Sequence, residues 1–317
     1  MINLLILLTQ PEPIRRRYAD RLRALFPQIT VNVADHHTRV GPYIESAEVL
    51  LTYGSMISDQ VLAAARNLKW IQALTTGVDH IEKLPSLRPE VLLTSTRGMH
   101  GPAVSEAVLT AMLVLSRDFP RAVRQQEKRV FERYVPRLLE GKTVGIFGLG
   151  VIGRALAPKC KALGMTVIGI DPLKPAVPGV DRVHGWDEAP RVLPELDFIV
   201  LLIPSTPATR GIIGEKLLAL MKPTSYLVNL GRGEVLDDEA LIEVLRQGKI
   251  AGAALDVFSQ EPLPEHHPYW TLKNVIITPH LGGVCDDYPE RALPIIEENM
   301  RRYLAGDFGN MINLVTR

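Results

Sequence analysis

The sequence predicts an α/β protein with two parallel sheets, in which one domain is inserted into the other. Short apolar runs typical of strands alternate with helical periodicity along most of the chain. The length of 317 residues suits two domains. A glycine-rich turn between a strand and a helix begins only at Gly148, so a separate folding unit must precede it.

The first hundred residues predict a small parallel α/β sheet. Their apolar spacing indicates strands and two helices, the strands at 2–8, 29–33, 48–52, 69–73 and 91–94 and the helices at about 12–25 and 58–66. Two of the strands are followed by turns that contain Gly54 and Gly77. The backbone N–H groups of such turns can hold a carboxylate, but ordinary tight turns have the same composition, and local sequence leaves both interpretations open.

The segment 101–117 predicts a helix that is buried in a core or in a subunit interface. Pro102 suits its first turn, and its apolar residues leave little polar face. Residues 121–137 carry six Lys or Arg side chains. A solvated linker face is favoured there over nucleic-acid binding, because no aromatic stacking platform is interleaved with the basic residues and the whole chain carries a formal charge of only +1.

The stretch 143–171 has the pattern of a dinucleotide-binding turn. A strand, the glycines Gly148, Gly150 and Gly153, a helix and a second strand ending in Asp171 follow one another. The glycines permit a tight turn, close approach of a pyrophosphate and packing of helix on strand. Asp171 lies near the spacing of about 20 residues expected for the acid that binds a ribose 2′-hydroxyl. Its carboxylate would repel a 2′-phosphate, which favours NAD over NADP even with Lys174 nearby.

The remaining chain completes the nucleotide-binding sheet. Strands are predicted at 197–203, 225–230, 250–255 and 274–278, with helices near 187–194, 215–221 and 237–247. The last helical segment, about 288–305, is too short to be a domain and should pack on the first unit. The expected fold is therefore two Rossmann-like or flavodoxin-like domains, with the NAD-binding domain, 98–287, inserted in a substrate domain made of 1–97 and 288–317.

Three polar residues follow consecutive strands of this sheet. Arg232 comes after strand 225–230, Glu261 lies beyond strand 250–255, and His280 ends strand 274–278. In a parallel sheet all three would emerge on the side where the dinucleotide binds. An imidazole can donate a proton to a reduced carbonyl, a guanidinium can bind a carboxylate, and a glutamate can raise the pKa of the imidazole. Each residue alone has a structural explanation, so the order and context carry the hypothesis.

Composition bears on the cellular compartment, on metal binding and on membrane or signal segments. Cys160 and Cys285 have no partners at metal-ligand spacing, which predicts reduced thiols, a cytoplasmic location and no metal site. Cys160 is expected in the core. The apolar start, 2–8, is interpreted as a strand rather than a signal segment, and no apolar run reaches the roughly 18 residues of a membrane span.

These motifs together resemble the D-isomer-specific 2-hydroxyacid dehydrogenase family over nearly the full length of the chain. The matching stretches are TTGVDHIEKL, AVSEAVL, GKTVGIFGLGVIG, LLIPSTPATRGII, LVNLGRGEVLDDEAL, GAALDVFSQEPLP and LKNVIITPHLGG. One departure concerns the linker after helix 101–117. Many members carry a tryptophan there, whereas this chain has Phe131 and no tryptophan between Trp70 and Trp186.

The resemblance implies roles for particular residues. Arg232, Glu261 and His280 match the catalytic arginine, glutamate and histidine, and helix 101–117 matches the dimer-forming helix. Beyond the three glycines, the family's cofactor contacts fall on Val151, Ile152, Asp171, Pro204, Thr209, Leu230, Gly231, Arg232, Asp256 and Gly283. The family's substrate-carboxylate contacts fall on Gly54, Gly77, Val78 and Arg232.

The function expected from this resemblance is NAD-dependent interconversion of a small 2-oxo acid and its D-2-hydroxy acid by a homodimer. Glyoxylate, hydroxypyruvate and bulkier oxo acids all remain open as substrates. Glu261 argues against a formate dehydrogenase, because that branch carries glutamine at this place by resemblance. The alternative from another class is an NAD-sensing, corepressor-like interaction protein on the same scaffold, which can keep the same three residues.

Overall fold

The computed structural model describes residues 2–316. By its internal contacts the chain divides into two compact units, Met1–Met99 with Cys285–Arg317 and His100–Val284. Each unit contains one parallel sheet, which confirms the α/β fold class. The functional division at 97/98 and 287/288 stays a prediction.

The first unit has a five-stranded sheet in the order β2-β1-β3-β4-β5, which is the flavodoxin-like order. All its neighbouring strands are parallel. In chain order its elements up to residue 99 are β1 (Ile2–Leu7), α1 (Glu12–Leu25), β2 (Ile29–Ala34), α2 (Gly41–Ile44), β3 (Val49–Thr52), α3 (Asp59–Ala64), β4 (Trp70–Ala73), α4 (Asp79–Glu82) and β5 (Leu92–Thr94).

The second unit has a seven-stranded sheet in the order β12-β11-β10-β9-β6-β7-β8. Numbered within the unit, its first six strands follow the Rossmann order 3-2-1-4-5-6, with one further parallel strand beside the sixth. Its elements are α5 (Gly101–Ser116), α6 (Phe119–Glu127), β6 (Thr143–Phe147), α7 (Val151–Ala162), β7 (Thr166–Ile170), β8 (Arg182–His184), α8 (Ala189–Val192), β9 (Phe198–Leu201), α9 (Glu215–Leu218), β10 (Tyr226–Asn229), α10 (Asp238–Arg246), β11 (Gly252–Leu255) and β12 (Val275–Ile277).

Some expected elements differ in extent. The helix expected at 187–194 is only the single turn α8, flanked by short 3₁₀ turns. Part of the expected linker 121–137 forms α6, which begins after Asp118 with Pro120 in its first turn. The strand β8 was not predicted, because its three residues are too few and too polar to show a period of two.

The last helix, α11 (Tyr288–Leu304), returns to the core of the first unit, as expected. It buries Ala292, Ile296 and Met300 among the side chains of α1 and the sheet. A polar link adds to this packing, since Asn299 Nδ2 donates to Gln72 Oε1 on β4 at 2.9 Å. Both groups are buried, so this hydrogen bond fixes the position of the helix against the sheet as well as stabilising it.

Both sheets are apolar on their two faces, as parallel sheets covered by helices require. In the second unit β6, β9 and β10 are almost entirely buried, and Cys160 on α7 lies fully buried among them as expected. Among the helices of the described residues, 2–316, none is both long and apolar enough to cross a membrane.

Candidate active site

The glycine turn after β6 has the shape that a bound pyrophosphate requires. Gly148 has φ +97°, and a Cβ there would lie 2.9 Å from the carbonyl oxygen of Leu202. A Cβ on Gly153 would lie 2.2 Å from the carbonyl oxygen of Gly148, so helix α7 packs directly on the turn. By contrast, a Cβ on Gly150 would meet no described atom within 4 Å. Backbone N–H groups at the start of α7 are therefore approachable by a phosphate, and the turn fits the dinucleotide.

Asp171 follows β7 beside this turn. Its Oδ2 accepts the N–H of Leu149 at 2.9 Å, and its Oδ1 accepts the N–H of Leu173 at 2.9 Å. These hydrogen bonds tie the aspartate to the glycine turn and fix the direction of its carboxylate. Each oxygen keeps a further lone pair, so the group can still accept from a ribose hydroxyl.

The three predicted polar residues come from adjacent parallel strands. Strand β11 lies between β10 and β12, and both pairings are parallel. Arg232 follows β10, Glu261 lies beyond β11, and His280 follows β12. The sheet therefore carries all three to the same edge, where parallel α/β sheets bind ligands.

The turn that holds Arg232 is shaped by a buried asparagine at the end of β10. Asn229 Nδ2 donates to the carbonyl oxygen of Arg232 at 2.9 Å, and Asn229 Oδ1 accepts the N–H of Gly231 at 3.1 Å. The next residue, Gly233, packs on the backbone that leads to Glu261, because a Cβ on it would lie 1.8 Å from the carbonyl carbon of Phe258. The loop of Arg232 and the loop of Glu261 thus touch through bare backbone.

Glu261 and His280 form a direct pair. Glu261 Oε2 lies 2.7 Å from His280 Nδ1, and Glu261 Oε1 accepts the N–H of Phe258 at 3.0 Å. The carboxylate is therefore oriented by its own loop before it meets the imidazole. With Nδ1 engaged, Nε2 is the ring nitrogen left to exchange a proton with a ligand.

Asp256 holds the turn that carries His280. Its carboxylate accepts the N–H of Leu281 and of Gly282, both at 2.8 Å, and the hydroxyl of Thr278 at 2.5 Å. His280 itself adopts φ +53°, a left-handed conformation that is uncommon for residues other than glycine. The buried aspartate thus maintains the backbone that aims the imidazole, a role that the sequence did not reveal.

Electrostatics favour an ion pair between the two catalytic candidates. The hydrogen bond to Glu261 raises the pKa of His280 above its ordinary value, supported by the negative charges of Glu261 and Asp256 and opposed by burial and by Arg232. Burial opposes ionisation of Glu261, but the hydrogen bonds from His280 and the Phe258 N–H, with the charge of Arg232, lower the pKa of Glu261. An imidazolium beside a carboxylate is therefore favoured.

The other predicted cofactor residues lie around the same strand ends. Thr209 Oγ1 donates to the carbonyl oxygen of Pro204 at 2.6 Å, which closes the loop after β9. A Cβ on Gly283 would lie 3.1 Å from the ring of His100. Burial lowers the pKa of His100 to about 4, so this imidazole is neutral at physiological pH. The remaining predicted positions lie at the start of α7 and directly after β10. Val151 is exposed, Ile152 and Leu230 are half-buried, and Gly231 is buried.

The predicted substrate turns belong to the first unit. Gly54 follows β3 and Gly77 follows β4, and these strands are parallel neighbours. The hydroxyl of Thr75 donates to the carbonyl oxygen of Gly77 at 2.7 Å, and Val78 is buried at the start of α4. The two turns are thus adjacent at one edge of their sheet, and their role in binding substrate stays a prediction.

Among the described residues, no group of three or more His, Cys, Asp or Glu side chains is placed to hold a metal ion.

The Rossmann strand order, the glycine turn and the aspartate after β7 define a dinucleotide-binding protein. The model of the D-isomer specific 2-hydroxyacid dehydrogenase NAD binding domain matches residues 109–282. The chain belongs to the D-isomer specific 2-hydroxyacid dehydrogenase family, as the sequence motifs indicated.

Individual relatives agree with this assignment. The chain is 36% identical over 279 residues to a D-3-phosphoglycerate dehydrogenase of Methanocaldococcus jannaschii, covering 86% of this chain and 52% of that protein. It is 32% identical over 263 residues to a glyoxylate reductase of Thermofilum pendens, and the match covers 79% of this chain and 76% of that protein. A D-isomer specific 2-hydroxyacid dehydrogenase from Xanthobacter autotrophicus Py2 was solved in complex with NADPH and MES. It superposes on this chain with a TM-score of 0.81 at 32% identity, and the match covers 100% of this chain and 98% of that one. The chain spans about half the length of the phosphoglycerate dehydrogenases that it matches.

Proposed function

We propose that this protein is an NAD(H)-dependent oxidoreductase that interconverts a small 2-oxo acid and its D-2-hydroxy acid. One observation carries the proposal. The imidazole of His280 and the carboxylate of Glu261 lie 2.7 Å apart, just beyond the ends of two parallel strands of the NAD-binding sheet. A structural ion pair would not need to lie at this edge, and Arg232 on the next strand supplies the cation that such a reaction requires.

Each residue has a defined task in this reaction. Arg232 binds the carboxylate of the 2-oxo acid and polarises its carbonyl, because a guanidinium offers paired donors in a fixed plane. The nicotinamide, when bound, supplies the hydride for reduction. Protonated His280 donates its Nε2 proton to the oxygen on C2, and Glu261 holds the ring in position and stabilises its charged form. Oxidation uses the same groups in reverse, with neutral His280 accepting the proton.

The substrate is proposed to be a small 2-oxo acid of the glyoxylate or hydroxypyruvate type. The relative from Thermofilum pendens is named a glyoxylate reductase, and this chain matches most of that protein. Gly54, Gly77 and Val78 are proposed to hold the substrate carboxylate with Arg232.

NAD is the proposed cofactor in preference to NADP. Asp171 is held by the glycine turn, and its carboxylate would repel the negatively charged 2′-phosphate of NADP. The relative from Xanthobacter autotrophicus was solved with NADPH, and assays of this protein with NADH and with NADPH distinguish the two cofactors.

A homodimer through α5 and a cytoplasmic location complete the proposal. Helix α5 is apolar on most sides, and Leu113 on it remains 42% exposed within the single chain. Phe119, which follows this helix, is also exposed. A second copy that covers this face would bury these side chains. Cys160 and Cys285 are both free thiols, in keeping with a reducing compartment.

The proposal is tested with a spectrophotometric panel of 2-oxo acids, each assayed with NADH and with NADPH. We expect consumption of NADH with a small oxo acid, and we expect His280→Ala to reduce turnover by at least about 1,000-fold while NADH still binds. His266→Ala is the control, since this exposed histidine lies in the same unit and outside the site. NADH binding without turnover of any acid would refute the enzyme and favour an NAD-sensing protein.

A further inference from the structure

A lysine lies on the turn that Asp171 begins, and it is held by an acidic residue. Lys174 donates its backbone N–H to the carbonyl oxygen of Asp171 at 3.1 Å. Its Nζ lies 2.5 Å from Glu188 Oε2. The lysine therefore sits on the same turn as the proposed ribose-binding carboxylate, but its charge is directed to Glu188.

Glu188 is itself fixed by the end of β8. Its Oε2 also accepts the N–H of Gly185 at 2.9 Å, and its Oε1 lies 3.2 Å from His184 Nδ1. The hydrogen bonds from Lys174, the Gly185 N–H and His184 lower the pKa of Glu188 to about 2. The carboxylate is thus anionic at every pH at which the protein would work.

The path of the lysine side chain also depends on a glycine. A Cβ on Gly185 would lie 2.9 Å from Lys174 Cε, so the lysine stem crosses directly over this residue to reach Glu188. Lys174 has φ +44°, an uncommon left-handed conformation for lysine. Several local features therefore cooperate to keep the ammonium group in one place.

We infer that Glu188 is a specificity-determining residue, which disfavours NADPH by withholding Lys174 from the cofactor's 2′-phosphate. The inference rests on the proposed use of NAD and extends it to a residue outside the glycine motif. Asp171 alone repels a 2′-phosphate, but an unpaired lysine on the same turn would offset that repulsion. An ammonium on a flexible stem can bind a phosphate, and the ion pair removes that possibility.

The test is the binding of NADH and NADPH, measured by cofactor fluorescence without any oxo acid. For Glu188→Gln we expect the Kd for NADPH to fall about threefold to tenfold, with the Kd for NADH within about twofold of wild type. The glutamine can still accept the Gly185 N–H, so the turn should be preserved. The double variant Glu188→Gln/Lys174→Met should lose the gain, because the lysine is the group that is released.

Glu195→Gln is the matched control. Glu195 pairs with Arg182 at 2.5 Å, at the opposite end of the short strand β8, so this variant removes one charge from a comparable ion pair. It should leave the Kd for both cofactors within about twofold of wild type.

Three results would overturn the inference: an unchanged Kd for NADPH in Glu188→Gln while NADH binds normally, a gain that persists in the double variant, or weaker NADPH binding in Lys174→Met alone. The last result would mean that the lysine already serves the phosphate in the wild type. A wild-type protein that binds neither cofactor would instead overturn the proposed function, and the inference with it.

Discussion

Replacing Gly233 with alanine should separate the two loops that carry the catalytic candidates. The added Cβ would lie 1.8 Å from the carbonyl carbon of Phe258. Carbon atoms in contact are about 3.5 Å apart, so one backbone must move by more than about 1.5 Å. Because the obstacle is backbone and not the end of a flexible side chain, a rotamer change cannot relieve it.

The backbone displacement in Gly233→Ala should lower both activity and stability. A misplacement of about 1 Å can cost about 100-fold in rate, so kcat/KM should fall at least about 100-fold in Gly233→Ala, or about 2.7 kcal/mol in activation free energy. Overpacking costs about 1–3 kcal/mol, and we expect the free energy of unfolding to fall by about 3 kcal/mol, at the upper end of this range. NADH binding should fall less than kcat/KM, since the glycine turn after β6 lies elsewhere in the sheet and only the contacts next to Gly233 are displaced.

The assay combines steady-state reduction of the best oxo acid, NADH fluorescence titration and urea unfolding. Gly41→Ala is the control, because a Cβ there would meet no described atom within 4 Å and Gly41 has no positive φ. If Gly233→Ala retained kcat/KM within about fivefold of wild type and an unchanged urea midpoint, the reasoning from close backbone packing would be refuted.

Two further predictions concern the imidazole pair and the cofactor turn. Reduction requires protonated His280, and its raised pKa extends activity to higher pH, so Glu261→Gln should move the alkaline limb of the kcat/KM profile to lower pH. The control Glu265→Gln, at an exposed neighbouring position, should leave this limb in place. An unshifted limb in Glu261→Gln would contradict the pairing of Glu261 with His280. Gly153→Ala introduces a Cβ 2.2 Å from a backbone carbonyl oxygen, so the Kd for NADH, measured by fluorescence titration, should rise at least about tenfold. Unchanged NADH binding would exclude this turn as the pyrophosphate site.

The sequence predicted those parts of the fold that depend on long apolar patterns. The strands of four or more residues and the helices α1, α7 and α11 are long enough for a clear apolar pattern, and the spacing of the glycine turn has a physical reason. The strand β8 and the single-turn helix α8 are too short to show any period. Their formation depends on neighbours in the sheet and on tertiary packing that no local pattern encodes.

For the candidate site, sequence order was enough to place Arg232, Glu261 and His280 at one sheet edge, because neighbouring parallel strands end together. The role of Asp256 could not be read in the same way. Its partners include the backbone N–H groups of the His280 turn, and every residue except proline carries such a group, so composition offers no signal. An asparagine directly before a Leu-Gly turn, Asn229, was a usable signal that sequence reasoning passed over.

The hydrogen bond between Asn299 and Gln72 has a consequence for biosynthesis. The core of the first unit needs α11, whose residues leave the ribosome only after the whole segment 100–284 has been made. During translation the inserted unit can therefore complete its own core while the earlier sheet still lacks a covering helix. Until residue 304 emerges, that apolar surface of the N-terminal sheet stays uncovered on the nascent chain, where it can aggregate.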